Sequence, residues 1–189
     1  MEAALLLAAG VGDLGALAGL PPELAVRRAV PILAGVTLDP AFLDANIFPY
    51  LDEARRAEDW YVARQFDAGD GSYSIQVFVW PPGSRTQIHD HTTWGAYHCV
   101  LGSVTEERYE RLDDGTRPDH ARLKKVWRLS WSSQEGISTV LPYDEGIHSV
   151  GNGNSETAVS VHLYGPKLTD MDGRDYDPSR NYVCDRFDA

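Results

Sequence analysis

The chain has 189 residues, 17 of them basic and 28 acidic, for a formal net charge of −11. That length suits one domain whose core needs no disulfide or structural metal, and a composition of 43% hydrophobic and 24% charged residues excludes a disordered or fibrous chain. The acidic balance argues against nucleic acid as the main partner, since phosphate neutralisation needs clustered Lys and Arg, and the distant Cys99 and Cys184 form neither a CxxC pair nor a disulfide framework.

The opening run MEAALLLAAG is apolar, but Glu2 precedes the run and the first basic residue is Arg27, so the positive flank of a secretory signal is missing. No stretch reaches the roughly 18–20 apolar residues that span a bilayer. The expectation is a cytoplasmic protein with no membrane partner. From Leu5 to about Arg56, apolar residues recur every three or four positions between prolines and glycines, which predicts two or three short helices. Pro21-Pro22 fits a helix start and Glu23 complements its N-terminus. Asp39-Pro40 repeats the pattern ahead of Phe42, Leu43, Ile47, Phe48 and Leu51, with Pro49 as a kink or break.

Around Trp60 the pattern changes. Tyr61–Phe66, Tyr73–Trp80, Ala96–Leu101, Val104–Leu112, Leu123–Trp131, Ile137–Leu141 and Ala158–Tyr164 are β-rich runs separated by Gly, Pro and Asn turns. Many short strands at this spacing predict an all-β barrel or sandwich. With no internal repeat and no linker, the chain reads as a single domain: a helical part over 1–58, a β part over 59–166 and a tail over 167–189. The acid-rich stretch Asp170–Asp188 reads as a surface segment.

Three of the six histidines carry the chemistry. His89 and His91 sit in Ile-His-Asp-His, and in a strand residues i and i+2 point to one face. Neutral imidazole is the commonest nitrogen ligand for transition metals, so the pair suits two positions of one ion. Taken alone, it equally suits two surface histidines. His148 lies in the longer pattern Pro142-x3-Gly146-x-His148-x3-Asn152, which is much rarer by chance.

These residues resemble the two motifs of the cupin superfamily, the first through Pro82-Gly83, His89 and His91, the second through Gly136, Pro142, Gly146, His148 and Asn152. The resemblance implies a mainly β fold, a cupin double-stranded β-helix barrel (jelly roll) with the N-terminal α-helices packed on it. It also implies a metal site of His89, His91 and His148. The position of the motif's glutamate ligand is Ala96, so the site looks like a three-histidine one. A narrower resemblance joins Trp80, Ile88-His89-Asp90-His91-Thr92 and Ser160-Val-His162-Leu-Tyr164 to the cysteine dioxygenase family of thiol dioxygenases, over about Tyr61 to Pro166. Trp94-Gly95 is similar to bacterial members, which act on cysteine or 3-mercaptopropionate.

What that resemblance implies is an Fe(2+) enzyme that takes a small thiol carboxylate and O2 and forms a sulfinate. Three neutral imidazoles leave the full charge on the ion, and a substrate thiolate supplies the negative charge that a carboxylate ligand would have supplied. Ser160, His162 and Tyr164 share one strand face. The family implies a relay in which Ser160 supports His162, and His162 orients Tyr164 toward the open side of the iron; three inward-facing barrel residues would give the same spacing. For the substrate carboxylate the resemblance points to Arg64, with Gln65 adjacent and Arg174 a second candidate. Some relatives crosslink a cysteine to the tyrosine; the matching position is Ala96, so no crosslink is expected, and Cys99 is expected to face away from it. His98 would share the face of Ala96, in cavity or core. Two other readings stay open: a three-histidine cupin oxygenase that cleaves a carbon–carbon bond, and a non-catalytic cupin that binds a ligand or a metal such as zinc.

Overall fold

The computed structural model describes residues 11–51, 56–166 and 173–185. The apolar run ahead of Val11 therefore lies outside the described residues. After a 3-10 turn over Val11–Leu17, helix α1 spans Pro22–Leu38 and helix α2 spans Pro40–Asn46. Pro22 opens α1 with its φ already helical and Glu23 lies in the first turn, the start that the sequence predicts. Asp39 ends α1 and starts α2, its Oδ1 accepting from the Ala41 N–H at 2.9 Å. Helix α2 stops at Asn46, short of the longer predicted segment, and the chain passes into a 3-10 turn at Phe48–Tyr50. Pro49 has no N–H to continue the ladder, and its ring would meet the carbonyl four residues back.

Among the described residues eleven strands follow: β1 Tyr61–Asp67, β2 Ser74–Trp80, β3 Ile88–His89, β4 Trp94–Leu101, β5 Ser103–Arg111, β6 Leu123–Ser132, β7 Ile137–Val140, β8 His148–Gly151, β9 Ala158–Gly165, β10 Arg174–Asp177 and β11 Tyr182–Asp185. One sheet runs β1-β2-β9-β4-β7, the other β11-β10-β3-β8-β5-β6. From β2 to β9 the chain switches sheet at every connection except the β5–β6 hairpin, which is jelly-roll order, so the molecule is the double-stranded β-helix barrel that the resemblance implies.

Strand alternation divides the core. On β9, Val159, Val161 and Leu163 pack outward with Leu33, Val36 and Phe42 of the helices, while Ala158 and Tyr164 join Phe78, Trp80 and Val104 inside the barrel. Burying each of these large apolar side chains is worth about 1.5–3 kcal/mol. On β4, Ala96 faces the helices and Tyr97 and Cys99 face the barrel. His98 is buried beside α1, its Nδ1 2.7 Å from Thr37 Oγ1, which makes it a core residue rather than a cavity one.

The reading of Asp170–Asp188 as a surface segment is corrected for the described residues 173–185. Strand β10 pairs with β3 and with β11, extending the six-stranded sheet. Tyr176 and Val183 are buried there with Ala121 and Ile147. Two strands of four residues, rich in acidic groups, carry too short an alternation to be read from sequence.

Candidate metal centre

His89 ends the two-residue strand β3 and pairs directly with His148, the first residue of β8. His91 lies beyond the strand, so strand alternation alone does not bring the pair together. Asp90, wholly buried between them, holds the loop: its N–H donates to the Arg174 carbonyl at 3.1 Å. Its carboxylate accepts from Arg174 N (2.7 Å), Nε (2.8 Å) and Nη2 (2.5 Å) and from the Tyr176 hydroxyl (2.7 Å). A Cβ at Gly173, where φ is +69°, would collide with the Asp90 carbonyl, so the strand can approach this closely only with glycine there. Arg174 is therefore a clamp on the histidine loop and not a group that lines the cavity.

One ligand atom from each of His89, His91 and His148 lies within 4.8 Å of the others, and Nε2 of His91 is 3.2 Å from Nε2 of His148. His89 Nδ1 sits 2.9 Å from the Gln87 carbonyl and donates to it, which leaves Nε2 as the ligand nitrogen. His148 Nδ1 likewise donates to Glu106 Oε1 at 2.9 Å. With its Nδ1 donating, His148 turns the Nε2 lone pair toward His91 and His89, and a donor set of three clustered imidazoles fits a divalent transition metal. No carboxylate belongs to the cluster among the described residues.

Glu106 was not legible in the sequence. This carboxylate, wholly buried on β5, accepts from His148, from Arg108 Nε (2.6 Å), from Ser138 Oγ (2.7 Å) and from Trp131 Nε1 (3.0 Å). Burial alone would raise its pKa, but the His148 hydrogen bond and the charge of Arg108 hold it at about 2. Burial also pushes His148 down to about 4 against the pull of Glu106, which keeps the imidazole neutral and able to bind a metal.

Ser160, His162 and Tyr164 form a continuous chain. Trp80 Nε1 donates to Ser160 Oγ at 2.8 Å, Ser160 Oγ is 2.8 Å from His162 Nε2, and His162 Nδ1 is 2.9 Å from the Tyr164 oxygen. Burial holds His162 well below the ordinary imidazole pKa. The Tyr164 ring lies 5.3 Å from that of His91, on the cavity that the three histidines share. Opposite Tyr164 in the register stands Gly95, where a Cβ would come within 2.8 Å of Tyr164 Cε1. This corrects the matching of Ala96 to the crosslinking position: Ala96 faces the helices and Gly95 faces the tyrosine. Neither carries sulfur. Cys99 faces opposite to Ala96, as expected, which puts it inside the barrel, and burial pushes its thiol up to about 12.

The cavity has a volume of about 540 Å³. Besides the histidines and Tyr164 it is lined by Trp60, Phe78, Gln65 and Gln76, and Arg64 is not among its walls. A bulge in β1 is the cause. The register shifts between Val62 and Arg64, so Ala63 is the extra residue and the alternation slips by one. Val62 and Gln65 then face the cavity, opposite Phe78 and Gln76, while the Arg64 guanidinium lies over the rings of Tyr50 (5.5 Å) and Phe66 (5.4 Å). Of the carboxylate-binding candidates in the sequence, Gln65 is the one that the fold brings to the site. Arg85 also borders the cavity, but its guanidinium is bonded to Glu107 at 2.9 Å.

A family model described as cysteine dioxygenase type I matches residues 43–178. Cysteine dioxygenase type 1 of Rattus norvegicus and that of Homo sapiens are each 30% identical over 145 residues, covering 76% of this chain and 66% of the relative. That of Danio rerio is 32% identical over 109 residues, 56% of this chain and 51% of the relative. The chain thus spans 66% of the length of its mammalian relatives. Among solved structures, an oxalate oxidase in complex with glycolate aligns at 15% identity and a TM-score of 0.44, covering 58% of this chain and 52% of that one. A double-stranded β-helix protein of Klebsiella pneumoniae aligns at 14% identity and a TM-score of 0.42, covering 63% and 84%. With its three histidines, its Ser-His-Tyr chain and this match over most of its length, the chain belongs to the cysteine dioxygenase type I family.

Proposed function

We propose that the chain is a non-haem Fe(2+) thiol dioxygenase that adds both atoms of O2 to the sulfur of a small thiol carboxylate, L-cysteine or 3-mercaptopropionate, to give a sulfinate. The observation that carries this reading is one cavity shared by three imidazole ligands, with no carboxylate ligand among the described residues, and by Tyr164 at the end of a buried hydrogen-bonded chain. The reaction is balanced as RSH plus O2 giving RSO2H: sulfur supplies all the electrons that reduce O2, so no external reductant is needed. Bound Fe(2+) would supply positions for a thiolate and for O2 and would lower the pKa of the thiol.

The chain's own residues do the rest. Glu106 and the Gln87 carbonyl fix His148 and His89 with Nε2 toward the ion. Tyr164 presents its hydroxyl beside the ligands. The amide of Gln76 offers a donor to a carboxylate, that of Gln65 would do so by exchanging its bond to Asp67 (3.0 Å), and Trp60 and Phe78 form an apolar wall that limits water around the reacting sulfur. The test is to load metal-free protein anaerobically with Fe(2+), add L-cysteine, 3-mercaptopropionate or mercaptosuccinate, and follow O2 uptake alongside sulfinate by mass spectrometry. Uptake matched by sulfinate for a thiol of this class is expected. No thiol-dependent uptake across the panel would refute the proposal.

A further inference from the structure

The buried chain beside the metal centre has a direction, and hydrogen counting gives it. An indole N–H donates and never accepts, so at 2.8 Å Trp80 Nε1 takes up an acceptor position on Ser160 Oγ. Ser160 is wholly buried, and its side-chain partners are Trp80 and His162. Its hydroxyl proton therefore has His162 Nε2 as its acceptor. The opposite tautomer would aim two N–H groups at one oxygen and leave a buried hydroxyl proton with no acceptor, an arrangement that native interiors avoid. With Nε2 accepting, neutral His162 carries its proton on Nδ1 and donates it to the Tyr164 oxygen at 2.9 Å.

We infer that Trp80 is a positioning residue that sets the polarity of the chain, so that Tyr164 accepts from His162 and directs its own proton away from the relay. Trp80 suits that role because it cannot turn. Its ring stacks on Phe78 with centroids 5.7 Å apart and an interplanar angle of 17°, and Trp60 lies 5.8 Å away. Its carbonyl accepts from Asn152 Nδ2 at 2.8 Å. The side chain is 1% exposed, so no water competes for the indole proton. Without that donor, Ser160 can accept from a protonated Nε2, the chain can reverse, and Tyr164 then spends its proton on Nδ1. The bearing of this polarity on turnover rests on the thiol oxidation proposed above. The polarity itself does not, so the two can fail separately.

The test reads the tautomer directly. Protein labelled with 15N-histidine and loaded with Zn(2+), a diamagnetic occupant of the three-histidine site, is studied by long-range 1H–15N correlation, with His162→Gln assigning the ring. The expected result is a single Nδ1–H tautomer for His162, and an Nε2–H tautomer overturns the inference. Trp80→Phe keeps an aromatic ring and removes the donor. A mixture with detectable Nε2–H is expected, together with a fall in kcat that exceeds any rise in KM. An unchanged single tautomer in folded Trp80→Phe overturns the role of Trp80. Should that variant not fold, the spectrum of the unsubstituted protein still decides the direction of the chain.

Discussion

Replacing Glu106 by glutamine keeps the shape of the side chain and removes one buried negative charge from beside His148. The carboxyl is held at about 2 against an ordinary 4.5, and each unit of such a shift is worth about 1.4 kcal/mol, which suggests about 3 kcal/mol of stabilisation. Part of that lowering comes from the charge of His148, which is itself neutral above about 4, so about 2–3 kcal/mol is the better figure at neutral pH. Stranding the nearly buried Arg108 acts in the same direction, since breaking a buried pair typically costs about 3–5 kcal/mol. For a domain of this size, about 2–3 kcal/mol lowers the Tm by roughly 5–10 °C. The stabilisation is present above pH 4.5 and is lost as pH falls through about 2, so the gap between the parent and Glu106→Gln should close over that window. Metal affinity should fall about 10–100-fold, because a neutral amide polarises and orients His148 less firmly than the carboxylate does. Thermal unfolding of the metal-free protein gives the first quantity, and competition against a chromophoric chelator gives the second. A variant that melts within about 1 °C of the parent and binds metal equally well would refute the role assigned to Glu106.

Gly95→Ala should keep the metal and lose turnover, on the order of tenfold or more, because its Cβ would lie 2.8 Å from Tyr164 Cε1 and 3.0 Å from Val140 Cγ2. Full activity in this variant would show that Tyr164 has room to move without cost. Gln65→Ala should raise KM for a thiol carboxylate about tenfold, the scale of one hydrogen bond to a charged group, with Arg64→Ala staying within about twofold. The reverse ranking in steady-state kinetics would overturn the bulge-based assignment. His98 is held below the ordinary imidazole pKa by burial, so the unfolded chain binds its proton first and stability falls as pH drops below about 6.5. His98→Gln should flatten that part of the curve of Tm against pH, and parallel curves would remove His98 as a contributor.

The parts of the site legible in sequence are those whose spacing is local. Ser160, His162 and Tyr164 share a face because an uninterrupted strand alternates, and His89 and His91 are close because they are two residues apart. The helix starts at Pro22 and Pro40 are likewise readable from adjacent residues. What was not legible depends on pairing across the sheet. Arg64 and Gln65 exchange faces through one bulged residue, which the register of β1 on β2 determines and the composition of β1 does not. Gly95 and Ala96 are distinguished only by which of them lies opposite Tyr164. Glu106 stands in the charged run Glu106-Glu107-Arg108, where nothing local separates the carboxylate turned into the barrel from its neighbour, which Arg85 and Lys125 neutralise. The ligand strands β3 and β8 are two and four residues long, too short for any periodicity to register.

The clamp of Arg174 on Asp90 makes the histidine cluster depend on the far end of the polypeptide. The loop that carries His91 is tied to a residue 84 positions further along, and contacts of such separation form only after the intervening chain has been ordered. Arg174 and Tyr176 together supply four hydrogen bonds to the Asp90 carboxylate, and both stand after the last of the three histidines in the chain. A chain cut before β10 would keep all three histidines and lose the clamp that holds the His91 loop among them.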